Sequence, residues 1–448
     1  MTIQEVHNIY MVGIKGVGMT ALALILNKMG KNVWGSDVVE EFKTDAVLKR
    51  NGITILPGFT EQNISENIDL VITTAAHGGL SNPEVLAAQR KGISIMTHAE
   101  ALGIVMNLFK LKISVCGSHG KTTVSAMIAF VFEKLKIKAG YHVGAASFSG
   151  YDAGGFSGYD YFVTEADEYL ASPGINDTPR FMFQNPDIII CTNIDFDHPD
   201  VYKNLDAVED AFVGFLQKLM TKNGTLIYYK NDVLLHKIAH QLSLQKIHAY
   251  DLIDAQNISL SIPGNHNQLN AAAAQTLFQI LGFDEDQTKK ALAEFKGSSR
   301  RFEKIYENFG FVLYDDYAHH PAEIVATIAA VRIRYPSRRL VVIFQPHTFS
   351  RTERLKEGFI KALAKADSAV IVDIFPSKRE NVADYTITSQ SLVKEAQNQG
   401  IKNITYYPVT SLNPELSTLL KPGDIIITMG AGSIYELHSD IIEMLKKL

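Results

Sequence analysis

Gly117-Ser118-His119-Gly120-Lys121-Thr122-Thr123 follows the apolar run KISVC (112–116) and opens the segment VSAMIAFVFEKL (124–135). A short apolar run, a glycine-bounded turn and an apolar-periodic stretch read as strand, loop and helix. A phosphate group needs exposed backbone N–H groups, a helix N-terminus, one cation and a hydroxyl that can hold magnesium, and this stretch offers all four. The spacing departs from G-x-x-x-x-G-K-[ST], because Val115 stands where the first glycine would be, so the loop is shorter. A tight turn that merely contains Lys and Thr is the bland alternative, and the strand-loop-helix context argues against it. Gly117, Ser118, His119, Gly120, Lys121, Thr122 and Thr123 are therefore the candidate ATP-binding residues.

The same alternation extends in both directions. Upstream, HNIYMV, a glycine cluster and MTALALILNKMG are followed by KNVWGSD, ITILPG, IDLVITT and SNPEVLAAQRKG. Downstream come YFVTEADE, DIIICTNIDFDH, GTLIYY and NQLNAAAAQTLFQILGF, and after KGSSR a third series: FVLYDDY, EIVATIAAVRI, LVVIFQP, SAVIVDIF and DIIITMGAG. Alternating strands and helices predict parallel sheets covered on both faces. The expected class is α/β with three domains: a Rossmann-like unit over 1–108, a central P-loop unit over 109–297 and a second Rossmann-like unit over 298–448.

Length and composition set the outer limits. The 448 residues, 46% hydrophobic and 20% charged, are those of a folded multidomain protein. Lys and Arg number 43 against 48 Asp and Glu, so there is no bulk positive field for a polyanion and nucleic acid is not an expected partner. Two distant cysteines, Cys116 and Cys191, make neither a disulfide framework nor a zinc cluster. No stretch reads as a membrane span or export signal, so a cytoplasmic protein is expected, monomeric or weakly dimeric.

Several strand ends carry polar groups. Gly13, Gly16 and Gly18 follow the first strand, and Ser36 and Asp37 end the next. The order G-x-x-G-x-G is not the usual dinucleotide fingerprint, which leaves NAD or FAD as the lesser reading and another nucleotide diphosphate as the better one. Glu165 ends one strand and His198 follows another; in a parallel sheet both lie on the phosphate-loop edge, which makes them metal-ligand candidates, against solvated turns as the alternative. In the third series Asp316, Tyr317 and His319 follow one strand and Arg351 another, while Arg301 sits where the second and third units join.

Taken in order, GIKGVGM, GSD, GSHGKTT, TEADE, TNIDFDH, PGNHNQLNA, RRFE, DDYAHHPAEI and FQPHTFSRT resemble the Mur ligase family, ATP-dependent amide-bond-forming enzymes of peptidoglycan precursor synthesis. The resemblance runs almost end to end. It implies a UDP-sugar domain, a central ATPase domain and a domain presenting the amino acid, with ATP and Mg2+ as cofactors. The implied substrates are UDP-N-acetylmuramate and L-alanine, joined through an acyl phosphate; the rival amine is the tripeptide L-alanyl-γ-D-glutamyl-meso-diaminopimelate. It further implies that Gly13, Gly16, Gly18, Ser36 and Asp37 meet the UDP-sugar, and Lys121 the phosphates. Thr122 and Glu165 take a first magnesium and His198 a second. Asn267 and Asn270 contact adenine, Arg301 and Asp316 the nucleotide, and Tyr317, His319 and Arg351 the amino acid, with Lys121, Glu165, His198, His319 and Arg351 in catalytic roles. Lys15 departs from a glycine usual in the first loop. The helix AVEDAFVGFLQ holds no lysine before Lys218, so a carbamylated lysine is not expected.

Two readings from other classes remain. A dehydrogenase would use Gly13 to Gly18 for NAD and leave the phosphate loop without a purpose. A nucleotide-sensing protein would bind ATP without turnover, and would have little use for Glu165, His198 and Arg351.

Overall fold

The computed structural model describes residues 3–376 and 380–448. They form two compact units, one of residues up to Phe196 with Asn204–Ser261 and Gln268–Ser298, the other of Asp197–Lys203, Ile262–Asn267 and Ser299–Leu448.

The first unit holds two sheets. In the first, β1 (Asn8–Val12), α1 (Val17–Lys28), β2 (Asn32–Asp37), α2 (Lys43–Arg50), β3 (Thr54–Pro57), β4 (Leu70–Thr73), α3 (Pro83–Arg90), β5 (Ser94–Thr97) and α4 (His98–Met106) follow in turn. The strand order β3-β2-β1-β4-β5 is parallel throughout. Ile9, Met11, Leu70 and Ile72 face α1 and α4 on one side, while Tyr10, Val12 and Val71 face α3 on the other. This two-sided burial is why the strands read as unbroken apolar runs. Asn82 caps α3 through the Glu84 N–H, and Gly92 beyond its end has φ +70°, as capping rules predict.

The second sheet follows with β6 (Leu111–Cys116), α5 (Lys121–Lys134), β7 (Ala139–Phe148), β8 (Tyr151–Phe156), β9 (Tyr161–Glu165), the hairpin β10 (Leu170–Ser172) and β11 (Asn176–Pro179), and β12 (Ile188–Cys191). Then come α6 (Leu205–Leu216), β13 (Thr225–Tyr229), α7 (Val233–Gln241), β14 (Lys246–Tyr250), α8 (Asn265–Ile280) and α9 (Glu285–Ala293). The order is β14-β13-β12-β6-β9-β7-β8. It is parallel except for the β7–β8 hairpin, whose small residues give no alternating signal in the sequence. Helix α1 lies against this hairpin, so the first loop and the second sheet share one packed body.

The second unit carries β15 (Glu303–Asn308), β16 (Phe311–Asp316), α10 (Pro321–Arg334), β17 (Leu340–Phe344), α11 (Phe349–Arg354), α12 (Lys356–Leu363), β18 (Ser368–Ile371), α13 (Ser389–Asn398), β19 (Ile404–Tyr406), α14 (Leu412–Leu419), β20 (Ile425–Met429) and α15 (His438–Leu445). The order β15-β16-β20-β17-β18-β19 is parallel but for the antiparallel edge β15. One face packs on α10, α12 and α13, the other on α14 and α15. Among the described residues no helix is long and apolar enough to cross a membrane.

Candidate active site

The phosphate loop sits where β6 meets α5, with β12 and β9 as the two parallel neighbours of β6. This brings the C-terminal ends of three strands together, the place where open α/β sheets bind ligands. The loop is braced from β12: Thr192 Oγ1 donates to the His119 carbonyl at 2.6 Å, Asn193 Nδ2 donates to the same carbonyl at 2.9 Å, and Asn193 Oδ1 accepts from His119 N at 2.8 Å. The Ser118 hydroxyl lies 3.0 Å from the Asp195 carbonyl and 2.8 Å from its N–H. Gly120 caps α5 in the left-handed region, φ 88°.

Gly117 shows why this position is glycine. Its φ is +129°, and a Cβ there would stand 2.1 Å from Thr192 Oγ1 and 2.9 Å from the Asn193 carbonyl. Thr192 Oγ1 bonds the His119 carbonyl and the Asn193 carbonyl accepts from Ser118 N, so neither can yield without shifting the loop. We expect Gly117→Ala to fold but to displace the loop. A misplacement near 1 Å costs about 100-fold in rate, to be read as kcat/KM for ATP; a change below threefold would mean the loop tolerates the shift.

Lys121 projects back over the loop. Its Nζ donates to the Gly117 carbonyl at 2.6 Å and to Glu168 Oε2 at 2.8 Å. Burial works against its charge, but Glu168, Asp167 and Glu165 outweigh burial and hold the ammonium well above its ordinary value. It is a fixed cation at any physiological pH. Glu165 lies beside it: Thr122 Oγ1 donates to Oε2 at 3.1 Å, Ser125 Oγ stands 3.4 Å from Oε1, and the Gly144 N–H donates to the same oxygen. Two oxygens bound cis to an octahedral Mg2+ with bonds of about 2.1 Å stand about 3 Å apart. The Thr122 and Glu165 oxygens therefore fit a shared magnesium ion. Gln184 orients this corner, donating to the Glu165 carbonyl at 2.8 Å and accepting from Ser114 Oγ at 2.6 Å.

In the first sheet Gly13 has φ +79° and a Cβ would meet Thr74 Cγ2 at 2.4 Å, so only glycine fits this turn at the C-terminal end of β1. Its N–H donates to the Ser36 carbonyl at 2.9 Å. Gly16 precedes α1 and Gly18 lies in its first turn. Asp37 accepts from Lys15 N at 2.7 Å and from Val38 N at 2.8 Å. The Ser36 hydroxyl turns inward to Glu84 Oε2 at 2.5 Å, and Tyr10 OH donates to Oε1 of the same carboxylate at 3.0 Å. Lys15 is buried and pairs with Asp45 at 2.9 Å, so in place of glycine it ties the loop to α2. Below Gly18, His142 Nε2 donates to the Gly18 carbonyl at 3.0 Å and lies 3.2 Å from His98 Nε2, while Thr164 Oγ1 sits 3.3 Å from its Nδ1.

Burial pushes the buried His142 imidazole down to about 4. The unfolded chain takes up this proton near pH 6.5 and the fold only near 4, so the stability tied to the neutral ring is complete above 6.5 and is lost as pH falls toward 4. His142→Gln keeps a donor for Gly18 and removes the titration. The stability gap between parent and variant should shift by on the order of 3 kcal/mol between pH 7 and 4 in the variant's favour, measured by denaturant titration. A gap independent of pH would contradict this origin.

The second unit gathers the remaining residues. Asp197 and Arg351, 154 positions apart and both buried, pair at 2.7 Å through Nη2 and 3.1 Å through Nε. Burial favours protonation of Asp197, yet His198, Arg351 and His319 outweigh it and keep the carboxyl well below its usual range. His198 adopts φ 55° and its Nε2 lies 3.8 Å from Asp197 Oδ2; such backbone strain in a non-glycine residue clusters at functional sites. His319 Nδ1 donates to the Tyr317 carbonyl at 3.0 Å, which leaves Nε2 as the basic nitrogen, and burial lowers its pKa to about 4. Tyr317 lies under the guanidinium groups of Arg300 and Arg301. Arg301 also reaches Glu323 Oε1 at 3.5 Å. Asp316 accepts from the Phe302 and Ala318 N–H groups, and burial raises its pKa to about 6. Asn267 Nδ2 donates to the Pro263 carbonyl at 2.7 Å. Asn270 belongs to the first unit, its Oδ1 close against Gly120.

Glu168, Thr192, Asn193, Asp197, Glu84 and Glu323 join these sites without any motif that singles them out. Glu168 and Asp197 stood inside quoted strand ends, and the remaining signal was the pairing of each with a distant cation. Lys218 Nζ donates to the Met182 and Gln184 carbonyls at 2.6 and 2.8 Å.

A phosphate loop on a parallel sheet, in a chain whose other two α/β sheets also end in polar groups, defines a nucleotide-dependent enzyme of the three-domain ligase type. The family models agree in order: Mur ligase family, catalytic domain, over residues 8–110; Mur ligase middle domain over 115–256; and Mur ligase, glutamate ligase domain, over 300–432. The chain belongs to the Mur ligase family, whose members are ATP-dependent ligases. It is 35% identical to a UDP-N-acetylmuramate--L-alanine ligase of Desulfitobacterium hafniense, covering 97% of this chain and 99% of the relative. It is 34% identical to the protein of that name from Caldicellulosiruptor saccharolyticus, covering 96% of each. Among solved structures, the UDP-N-acetylmuramate-alanine ligase of Thermotoga maritima matches with TM-score 0.76 and 26% identity over 98% of this chain and 99% of that one. A murein peptide ligase of Psychrobacter arcticus shares the fold, with TM-score 0.73 and 22% identity over 99% of each chain.

Proposed function

We propose that this protein joins L-alanine to the lactyl carboxylate of UDP-N-acetylmuramate at the expense of ATP. The observation that carries the reading is the Lys121 ammonium held over a braced phosphate loop beside the Thr122–Glu165 oxygen pair. Whole-length likeness to relatives that bear this activity in their names supports the choice of substrates.

A carboxylate is a poor acylating agent because its carbonyl carbon is weakly electrophilic and its leaving group would be oxide. One carboxylate oxygen attacks the γ-phosphorus, the bond to the β,γ-bridging oxygen breaks, and ADP leaves. The amine of alanine then attacks the acyl carbon of the resulting acyl phosphate, loses a proton and expels inorganic phosphate. Lys121 and the loop N–H groups hold the γ-phosphate and offset charge that spreads over it in transfer. Thr122 and Glu165 would hold one magnesium ion and His198 a second, and these ions would neutralise phosphate charge. Gly117 to Thr123 line the phosphates, Asn267 and Asn270 take adenine, and Arg301 and Asp316 reach the nucleotide. Gly13, Gly16, Gly18, Ser36 and Asp37 line the UDP-sugar site. Ser36 is fully buried, with its hydroxyl bonded to Glu84 and its carbonyl to the Gly13 and Ile14 N–H groups, so it acts there by holding the glycine loop.

Arg351, with Tyr317, binds the amino acid's carboxylate. His319, neutral above pH 4 and with Nε2 basic, accepts the proton from the amine. A kcat–pH profile left unchanged by His319→Gln would contradict that role. The domain limits 1–108, 109–297 and 298–448 belong to the same proposal, with Asp197–Lys203 and Ile262–Asn267 packing in the second unit. The test of substrate is direct: with ATP, Mg2+ and UDP-N-acetylmuramate supplied, L-alanine should release phosphate. The tripeptide L-alanyl-γ-D-glutamyl-meso-diaminopimelate should not, and the reverse result would assign the chain to the recycling reaction.

A further inference from the structure

Helix α7 lies on the second sheet and carries His236 and His240, one turn apart and both exposed. Residues at i and i+4 share a helix face, and here the two rings stand 4.2 Å apart between centroids. Each ring is anchored through Nδ1. His240 Nδ1 lies 2.9 Å from the His236 carbonyl, an acceptor only, so that nitrogen carries the proton and Nε2 carries the lone pair. His236 Nδ1 lies 3.1 Å from the hydroxyl of Tyr228, a buried residue of β13. Both Nδ1 atoms are engaged, one by the helix backbone and one by a sheet residue, which leaves the two Nε2 atoms as the ligand positions.

We propose that His236 and His240 form a surface site for a divalent ion of the Zn2+, Ni2+ or Cu2+ class. Imidazole nitrogens favour these ions over Mg2+, which takes oxygen ligands. One ion with metal–nitrogen bonds of about 2.0–2.1 Å bridges nitrogens about 3–4 Å apart, a separation that rings this close reach by small rotations. The surroundings suit a cation. Lys237, between the two histidines in sequence, directs its ammonium to Glu209 Oε1 at 3.3 Å. His240 stands in the last turn of α7, where the helix dipole favours positive charge. Tyr228 is a positioning residue: in the metal-bound form His236 Nδ1–H donates to its oxygen, the outer-shell bond that metal-ligating histidines make.

The site is separate from the phosphate loop and independent of the proposed ligase reaction, which gives the test a clean readout. The full chain is titrated with NiCl2 by calorimetry in saturating Mg2+, and Cu2+ binding is followed by electron paramagnetic resonance. One ion per chain with two nitrogen ligands is expected. His236→Gln and His240→Gln should each weaken nickel binding at least 10-fold, and the double variant should abolish it, with Mg2+-dependent turnover unchanged. Tyr228→Phe should weaken binding by about 10-fold with an unaltered circular dichroism spectrum. Nickel bound by the double variant as tightly as by the parent, or displaced from the parent by Mg2+, would overturn the proposal. An unchanged affinity in Tyr228→Phe would remove Tyr228 from it.

Discussion

Replacing Lys121 with alanine is expected to lower the rate of amide formation by 100- to 1000-fold while UDP-N-acetylmuramate still binds. The size follows from removing one preorganised charge stabiliser, about 3–4 kcal/mol in the transition state. The direction follows from the geometry. Nζ is fixed by the Gly117 carbonyl and by Glu168, so no reorganisation precedes its action, and three carboxylates keep it charged. The loop proposed for the sugar, Gly13 to Gly18, lies on a different sheet. Single-turnover phosphate release and equilibrium binding of the UDP-sugar separate the two effects. Losing Lys121 also leaves the buried Glu168 without its cation, so Lys121→Met with Glu168→Gln serves as the control: if rate returns in that pair, the lysine acted through Glu168 and not on phosphate.

Asp197→Ala is expected to have the largest effect on stability. It strands the buried Arg351 guanidinium, and breaking a buried pair from one side costs about 3–5 kcal/mol. Replacing both partners, Asp197→Ala with Arg351→Met, should recover most of that loss, because the desolvation cost of both charges disappears together. The pH dependence carries a sign. The Asp197 carboxyl is depressed in the fold, so its contribution is complete above the unfolded value near 3.9 and is lost only as pH falls further. The parent-to-variant gap in denaturant midpoint should therefore be flat from pH 8 to 4 and close in stronger acid. A gap that closes between pH 7 and 5 would implicate a histidine instead. The KM for L-alanine should rise in the single variant, since Arg351 then lacks the partner that orients it.

The phosphate loop was legible because everything it needs lies within seven consecutive residues between a strand and a helix. The acidic strand ends were legible for a topological reason: parallel strands next to β6 must end where its loop begins, and β9 and β12 are those neighbours. What the sequence hid is what long-range packing decides. The hairpin β7–β8 is held by pairing with β9 and by contact with α1, and its glycines and alanines carry no alternation to read. The short elements α2, β5 and α4 carry no readable signal because four to nine residues give too little periodicity. Asp197 is indistinguishable from Asp195 in DFDH until the fold sets it against Arg351, 154 residues away. Ser36, at a strand end like Asp37, turns its hydroxyl to Glu84, a carboxylate whose burial no local pattern announced.

In the proposed reaction a sugar acid's carboxylate oxygen takes the γ-phosphoryl group held by Lys121. Label that carboxylate with 18O, run one turnover with ATP, Mg2+ and L-alanine, and weigh the inorganic phosphate by mass spectrometry. One 18O atom should pass into each phosphate released, because the acyl–oxygen bond breaks when the amine displaces it. Phosphate free of the label, with amide still formed, would contradict the account.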